Sequence, residues 1–155
     1  MAILLTGGTG AQTSLHIANL CTKANIPFVF ASRRGGSDNK DASPAVRFDW
    51  TDPSTYPEPF SHVFPNGDTI TAVYMVIPRA EQPEKHMMAF IDYAITRGVK
   101  RFVLMAGTTA TLGSYGPGQV WKHLVEKGVE YAICRPTWFQ GNTRHNKSSL
   151  IPTHR

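Results

Sequence analysis

The sequence predicts an α/β fold: a Rossmann-like doubly wound parallel sheet in a single domain, with helices on both faces. Short β-branched and aromatic runs alternate with stretches of helical period. The stretches between successive runs have the length of single crossovers, which join parallel neighbours. A glycine-rich turn links the first run to the first helical stretch. The 155 residues suffice for one domain with a real core, and 41% hydrophobic with 17% charged residues is a globular composition.

Each element follows from its local pattern. Ile3–Leu5 reads as a short buried strand. Residues 13–24 read as a helix, because Ile17, Leu20, Cys21 and Ala24 fall at i, i+3, i+4 and i+7. Phe28–Ala31 is a second strand after the turn at Asn25-Ile26-Pro27, and Ser32 to Ser43 is a polar loop headed by Arg33-Arg34-Gly35-Gly36. Val46–Phe48 is a third strand, closed by Asp49-Trp50. Pro53, Pro57, Pro59 and Pro65 restrict any helix in 51–68 to short, interrupted turns.

Ile70–Ile77 is an almost unbroken β-branched and aromatic run stopped by Pro78. Glu84–Arg97 is helical, with Met87, Phe90, Ile91 and Ala94 on one face and Gly98 just past the end. Arg101–Met105 is the next strand, followed by a Gly/Thr/Ser loop over 106–118. Gln119–Lys127 forms a helix ending at Gly128, and Glu130–Arg135 is a last strand before Pro136. Crossovers between these strands are expected to be right-handed.

Composition excludes several classes. The net charge is +5, but Arg144, Lys147 and Arg155 lie in a final stretch without acids, leaving 13 basic and 11 acidic side chains over residues 1–140. No basic stripe with interleaved aromatics is present, so nucleic acid is not an expected partner. No apolar run approaches membrane-span length and no basic leader precedes the first strand, which predicts no membrane association and a cytoplasmic protein. Cys21 and Cys134 read as buried thiols. His16, His62, His86 and His123 show no ligand spacing and read as surface or helix residues; no metal is expected.

The turn Gly7-Gly8-Thr9-Gly10-Ala11-Gln12-Thr13 carries the chemistry. Residues without side chains let the backbone approach a pyrophosphate, and the free amides of the following helix face that anion. The residue ending the second strand then sets the cofactor. An acid there would accept the ribose hydroxyls of NAD, whereas Ser32-Arg33-Arg34 supplies guanidiniums with no acid before Asp38, which favours NADP(H). Asp49 and Trp50 would stand at the far side of the adenine pocket, although Trp50 reads equally well as a packing residue.

Ile3 to Gly10, together with Ala31-Ser32-Arg33, Phe48-Asp49-Trp50, Ala72-Val73-Tyr74, Gly98 to Leu104 and Arg135-Pro136-Thr137-Trp138-Phe139, resembles the NmrA-like atypical short-chain dehydrogenase/reductases. The likeness is closer to the fungal ergot-alkaloid reductases of the festuclavine and agroclavine dehydrogenase type. It covers residues 3–139 and implies NADPH-dependent reduction of a C=N bond in a clavine-type alkaloid, a small-molecule substrate. By carry-over, Gly7, Thr9, Gly10, Gln12 and Thr13 would hold the pyrophosphate, and Ser32, Arg33 and Arg34 the 2′-phosphate. Ile77-Pro78 and Pro136-Thr137 would flank the ribose and nicotinamide.

Two departures stand out. Standard members of the superfamily pair Tyr and Lys four residues apart so that the ammonium lowers the phenol pKa. Here Tyr115 is followed by Gln119, and Lys122 lies roughly 10 Å of helix rise away. An iminium carbon accepts hydride without a proton donor, which agrees with that absence, and no catalytic residue is assigned. Residues 1–140 are expected to form the NADP-binding domain and 141–155 a disordered polar tail, with the C-terminal substrate part of the resembled reductases missing. A non-catalytic NmrA-like dinucleotide-binding regulator and an inactive truncated product remain as alternatives, and the oligomeric state is left open.

Overall fold

A computed structural model describes residues 1–7, 12–36 and 43–137. Thr9, Gly10 and the expected tail at 141–155 lie outside the described residues. Six parallel strands form one sheet in the order β3-β2-β1-β4-β5-β6. They are β1 (Ala2–Leu5), β2 (Phe28–Ser32), β3 (Ala45–Arg47), β4 (Ile70–Val76), β5 (Arg101–Met105) and β6 (Glu130–Cys134). Three α-helices accompany them among the described residues: α1 (Gln12–Lys23), α2 (Pro83–Thr96) and α3 (Pro117–Lys127).

The strand period of two divides the core cleanly. Leu4, Val29, Val73, Met75, Phe102 and Leu104 point to one face and meet Met87, Phe90 and Ile91 of α2 and Val120 and Leu124 of α3. Leu5, Phe30 and Tyr74 point to the other face and meet Ala18 of α1. Phe48, Trp50 and Tyr56 close around Phe90, with ring centroids 4.8, 5.3 and 5.2 Å from it. The proline-rich stretch forms two short 3₁₀ turns, Pro53–Thr55 and Glu58–Ser61, and Tyr56 anchors it by donating to the Trp50 carbonyl at 2.8 Å.

Several boundaries differ from the sequence pattern for identifiable reasons. Both α2 and α3 start on a proline, whose fixed φ and missing N–H suit a first helical position. The strand β3 ends at Arg47 because Phe48 turns inward onto the aromatic cluster. Leu20 was expected on the apolar stripe of α1 but is 64% exposed; Ser14, Ala18 and Cys21 make the buried contact instead. Cys134 was expected to be buried and is only half-buried. The helices after β4 lie on the opposite face, leaving Arg101, Ala132 and Glu130 exposed and Val103, Met105 and Cys134 half-covered.

Candidate functional site

The strand order creates the site. The chain winds outward from β1 through β2 to β3, then returns to the centre and winds the other way through β4, β5 and β6. The connections leaving β1 and β4 diverge, so a crevice opens beyond their carboxyl ends. A cleft of about 1030 Å³ occupies that position. Its walls come from Gly7 after β1, Ser32 to Gly36 after β2, Phe48 to Thr51 after β3, and Val76 to Glu81 after β4.

Thr6 fastens the centre of this crevice. Its N–H donates to the Tyr74 carbonyl at 3.0 Å, and its hydroxyl accepts from the Val76 N–H at 2.9 Å. The Ser14 hydroxyl, in the first turn of α1, donates back to the Thr6 carbonyl at 2.8 Å. Thr6 and Ser14 are fully buried. The end of β1 and the start of α1 are thereby locked together, with Gly7 at φ 90°, a conformation that side-chain-bearing residues rarely adopt. Helix α1 begins at Gln12, one residue before the expected start at Thr13. Thr13 is half-buried and lies toward the Tyr74 phenol without closing a hydrogen bond to it, while burial pushes that phenol's pKa up.

The arginine turn is equally well defined. Gly35 N–H donates to the Ser32 carbonyl at 3.1 Å, the Ser32 hydroxyl donates to the Gly35 carbonyl at 3.2 Å, and Gly35 takes φ 73°. Arg33 and Arg34 therefore occupy the two central positions of a tight turn, exposed at the cleft wall. Neither forms an ion pair among the described residues, whereas Arg47 is engaged by Asp52 at 3.6 Å and Glu58 at 3.9 Å.

Asp49 faces this turn. Its carboxylate accepts from the Thr51 N–H at 2.9 Å and the Thr51 hydroxyl at 2.8 Å. Those two bonds, with the guanidiniums of Arg33 and Arg47 nearby, hold the carboxyl below its ordinary pKa, so Asp49 is anionic at neutral pH. Trp50 lines the cleft yet is 8% exposed and packs edge-on against Phe48, 5.0 Å between centroids. It is a packing residue whose margin reaches the cleft.

Of the sequence-predicted residues, the cleft brings together Gly7, Ser32, Arg33, Arg34, Asp49, Trp50, Ile77 and Pro78. Pro136 and Thr137 follow β6, two strands from the β1–β4 junction, and do not line it. Arg135 beside them donates to the Thr108 carbonyl at 2.6 Å, tying that exit to the loop after β5. Sequence reasoning passed over Arg79 to Glu81, which line the cleft directly after Pro78. The proline that stops β4 was the available signal. It also passed over the Thr6–Ser14 lock, for which a small polar residue at each end of the glycine turn was the only sign.

Tyr115 is 76% exposed in the loop before α3, and no Lys stands at the position of Gln119. Among the described residues no cluster of His, Cys, Asp and Glu is arranged to hold a metal. No described helix is long and apolar enough to cross a membrane.

No protein-family model matches the chain. Curated relatives do. Agroclavine dehydrogenase of Claviceps fusiformis is 40% identical over 144 residues, covering 92% of this chain and 48% of the relative. Festuclavine synthase I of Penicillium roqueforti is 36% identical over 146 residues, 92% of this chain and 49% of the relative. Festuclavine dehydrogenase of Aspergillus fumigatus is 33% identical over 146 residues, with the same coverage.

Among solved structures, the NADPH-dependent quinone oxidoreductase of Escherichia coli complexed with NADPH superposes with a TM-score of 0.70. It is 17% identical and covers 96% of this chain and 53% of that one. The triphenylmethane reductase of Citrobacter sp., complexed with NADP(H), gives a TM-score of 0.67 at 14% identity, covering 92% of this chain and 52% of that one. At such identities the likeness establishes the Rossmann-type fold alone. The chain is thus related by sequence to the agroclavine and festuclavine dehydrogenases, the ergot-alkaloid reductase group its motifs resemble, and spans about half the length of those relatives.

Proposed function

We propose that this chain is the dinucleotide-binding half of an NADPH-dependent oxidoreductase that reduces a C=N bond in a clavine-type alkaloid. The observation carrying the reading is the cleft at the β1–β4 junction. A positive-φ glycine lies at its base, and two guanidiniums outside any described ion pair lie at its rim. The residues fit the cofactor in size, shape and charge. The cleft has the volume of a large-ligand site. Gly7 allows close backbone approach, and the Ser32–Gly35 turn presents planar donors suited to a phosphate. Relatives named as clavine dehydrogenases and synthases support the substrate class, and fold neighbours solved with NADPH or NADP(H) support the cofactor.

In this reading Gly7, Thr9, Gly10, Gln12 and Thr13 hold the pyrophosphate, and Ser32, Arg33 and Arg34 hold the 2′-phosphate. Asp49 and Trp50 border the adenine. Ile77 and Pro78 border the ribose and nicotinamide; Pro136 and Thr137, which the resemblance also assigned there, do not line the described cleft. Once bound, the reduced nicotinamide supplies the hydride. The protein's part is to orient it and exclude water, because an iminium carbon already carries the charge that makes it electrophilic. Fluorescence titration with NADPH and NADH is the test: tighter NADPH binding supports the proposal, and absence of binding by both overturns it. A second reading, a dinucleotide-binding regulator without turnover, draws on the exposed Tyr115 and on Gln119 standing where a lysine would be. NADPH consumption in the presence of a clavine iminium separates the two.

A further inference from the structure

Arg79 stands at the cleft wall, three residues beyond the end of β4. It is exposed, and among the described residues it forms no ion pair, even with Glu81, which lines the same cleft. A guanidinium keeps its charge in any protein environment, so a permanent cation borders the cleft with no described acid within ion-pair distance. The segment carrying it ends at Gln82, whose φ of 46° is left-handed. Residues with side chains rarely adopt that conformation, and a residue before proline, as Gln82 is before Pro83, ordinarily takes an extended one. Strained backbone of this kind concentrates at ligand clamps.

The strand order says which part of a dinucleotide this cation meets. Leu5 pairs with Tyr74 and the Thr6 hydroxyl accepts from the Val76 N–H, so Gly7 emerges beside the end of β4. Arg33 and Arg34 follow β2 on one flank of β1, whereas Arg79 follows β4 on the other. Gly7 comes between them, at the base of the cleft they all line. A glycine turn and a helix start offer a pyrophosphate N–H donors and a partial charge, but no full one. Among the described residues lining the cleft, Arg79 is the one cation outside the Ser32–Gly36 turn.

We infer that Arg79 is the countercharge of the dinucleotide's pyrophosphate, closing on it from the β4 side while Arg33 and Arg34 hold the 2′-phosphate from the β2 side. This rests on the dinucleotide-binding reading and adds to it a residue that tightens both coenzymes alike. The pyrophosphate is common to NADPH and NADH, so a guanidinium placed there contributes affinity without discrimination. A guanidinium at the 2′ position discriminates, because only one coenzyme carries a phosphate for its planar donors.

The test titrates the whole chain with NADPH, NADH, ADP-ribose and 2′-AMP, followed by tryptophan fluorescence, since Trp50 borders the cleft. Arg79→Ala is expected to weaken the first three, which contain the pyrophosphate, by a similar factor of about ten, and to leave 2′-AMP, which lacks it, unchanged. Arg79→Lys, which keeps a charge without the planar fork, is expected to recover part of the loss. Arg79 is exposed, so neither variant disturbs the core. Unchanged ADP-ribose binding in Arg79→Ala, or a loss confined to NADPH and 2′-AMP, overturns the inference and leaves the cofactor proposal standing. Arg79-dependent binding of ADP-ribose with no preference for NADPH over NADH refutes the 2′-phosphate assignment and leaves Arg79 in place. A wild type that binds none of the four refutes both.

Discussion

The Ser14 hydroxyl donates a hydrogen bond to the Thr6 carbonyl, eight residues back, and both residues are sealed from solvent. That single bond couples the end of the central strand to the start of α1, so the orientation of the helix's free amides depends on it. Ser14→Ala leaves a buried carbonyl without this partner. The expected cost is about 1–2 kcal/mol, read as a lower urea midpoint, together with weaker dinucleotide binding.

The cofactor assignment is tested at Arg33. If its guanidinium grips a 2′-phosphate, Arg33→Ala weakens NADPH binding by about ten- to a hundred-fold, the range for loss of a charge-assisted contact, and leaves NADH nearly unchanged. Fluorescence titration of both coenzymes against both proteins provides the four affinities. An equal loss for the two coenzymes would assign Arg33 to the shared part of the molecule.

Gly118 predicts a packing failure. A Cβ at this position would run into the Thr111 carbonyl and the Ser114 side chain, and Ser114 is itself bonded to Thr111. Gly118→Ala must therefore push the loop after β5 off α3. The expected destabilisation is about 1–3 kcal/mol, the usual range for overpacking, observed as a lower thermal midpoint.

The Asp92 cluster predicts a pH dependence. Burial raises its carboxyl pKa, but hydrogen bonds from Lys127 and His123, each 2.8 Å away, outweigh that and leave it below its ordinary value. A carboxylate favoured in the folded state contributes stability above the ordinary Asp range, near pH 4, and loses it as pH falls through the depressed folded value. Since Asp92 is half-exposed, Asp92→Asn is expected to cost only about 0.5–1 kcal/mol at pH 7. The variant should show a flatter acid limb in denaturation midpoints measured between pH 7 and pH 3.

Much of the fold was legible because the two periods separate cleanly. β4 and β5 fall within a residue of their expected limits, since β-branched and aromatic runs bounded by Pro78 and Gly98 leave little alternative. Leu20 and Cys134 were misplaced for a shared reason. Periodicity shows that a residue belongs to an apolar stripe, but not whether anything lies opposite it. The site divided similarly: Gly7 and the arginine turn announce themselves locally, because left-handed glycines and tight turns have sequence signatures.

The bond from Val76 to Thr6 joins positions seventy residues apart. On a translating ribosome the first strand, helix and second strand therefore emerge with one flank of β1 unattended, and that vacancy persists until β4 clears the exit tunnel. Closure across such a long loop is slow compared with helix formation. Nascent chains stalled before Val76 should thus remain open to proteases and chaperones, and those stalled well beyond it should resist them.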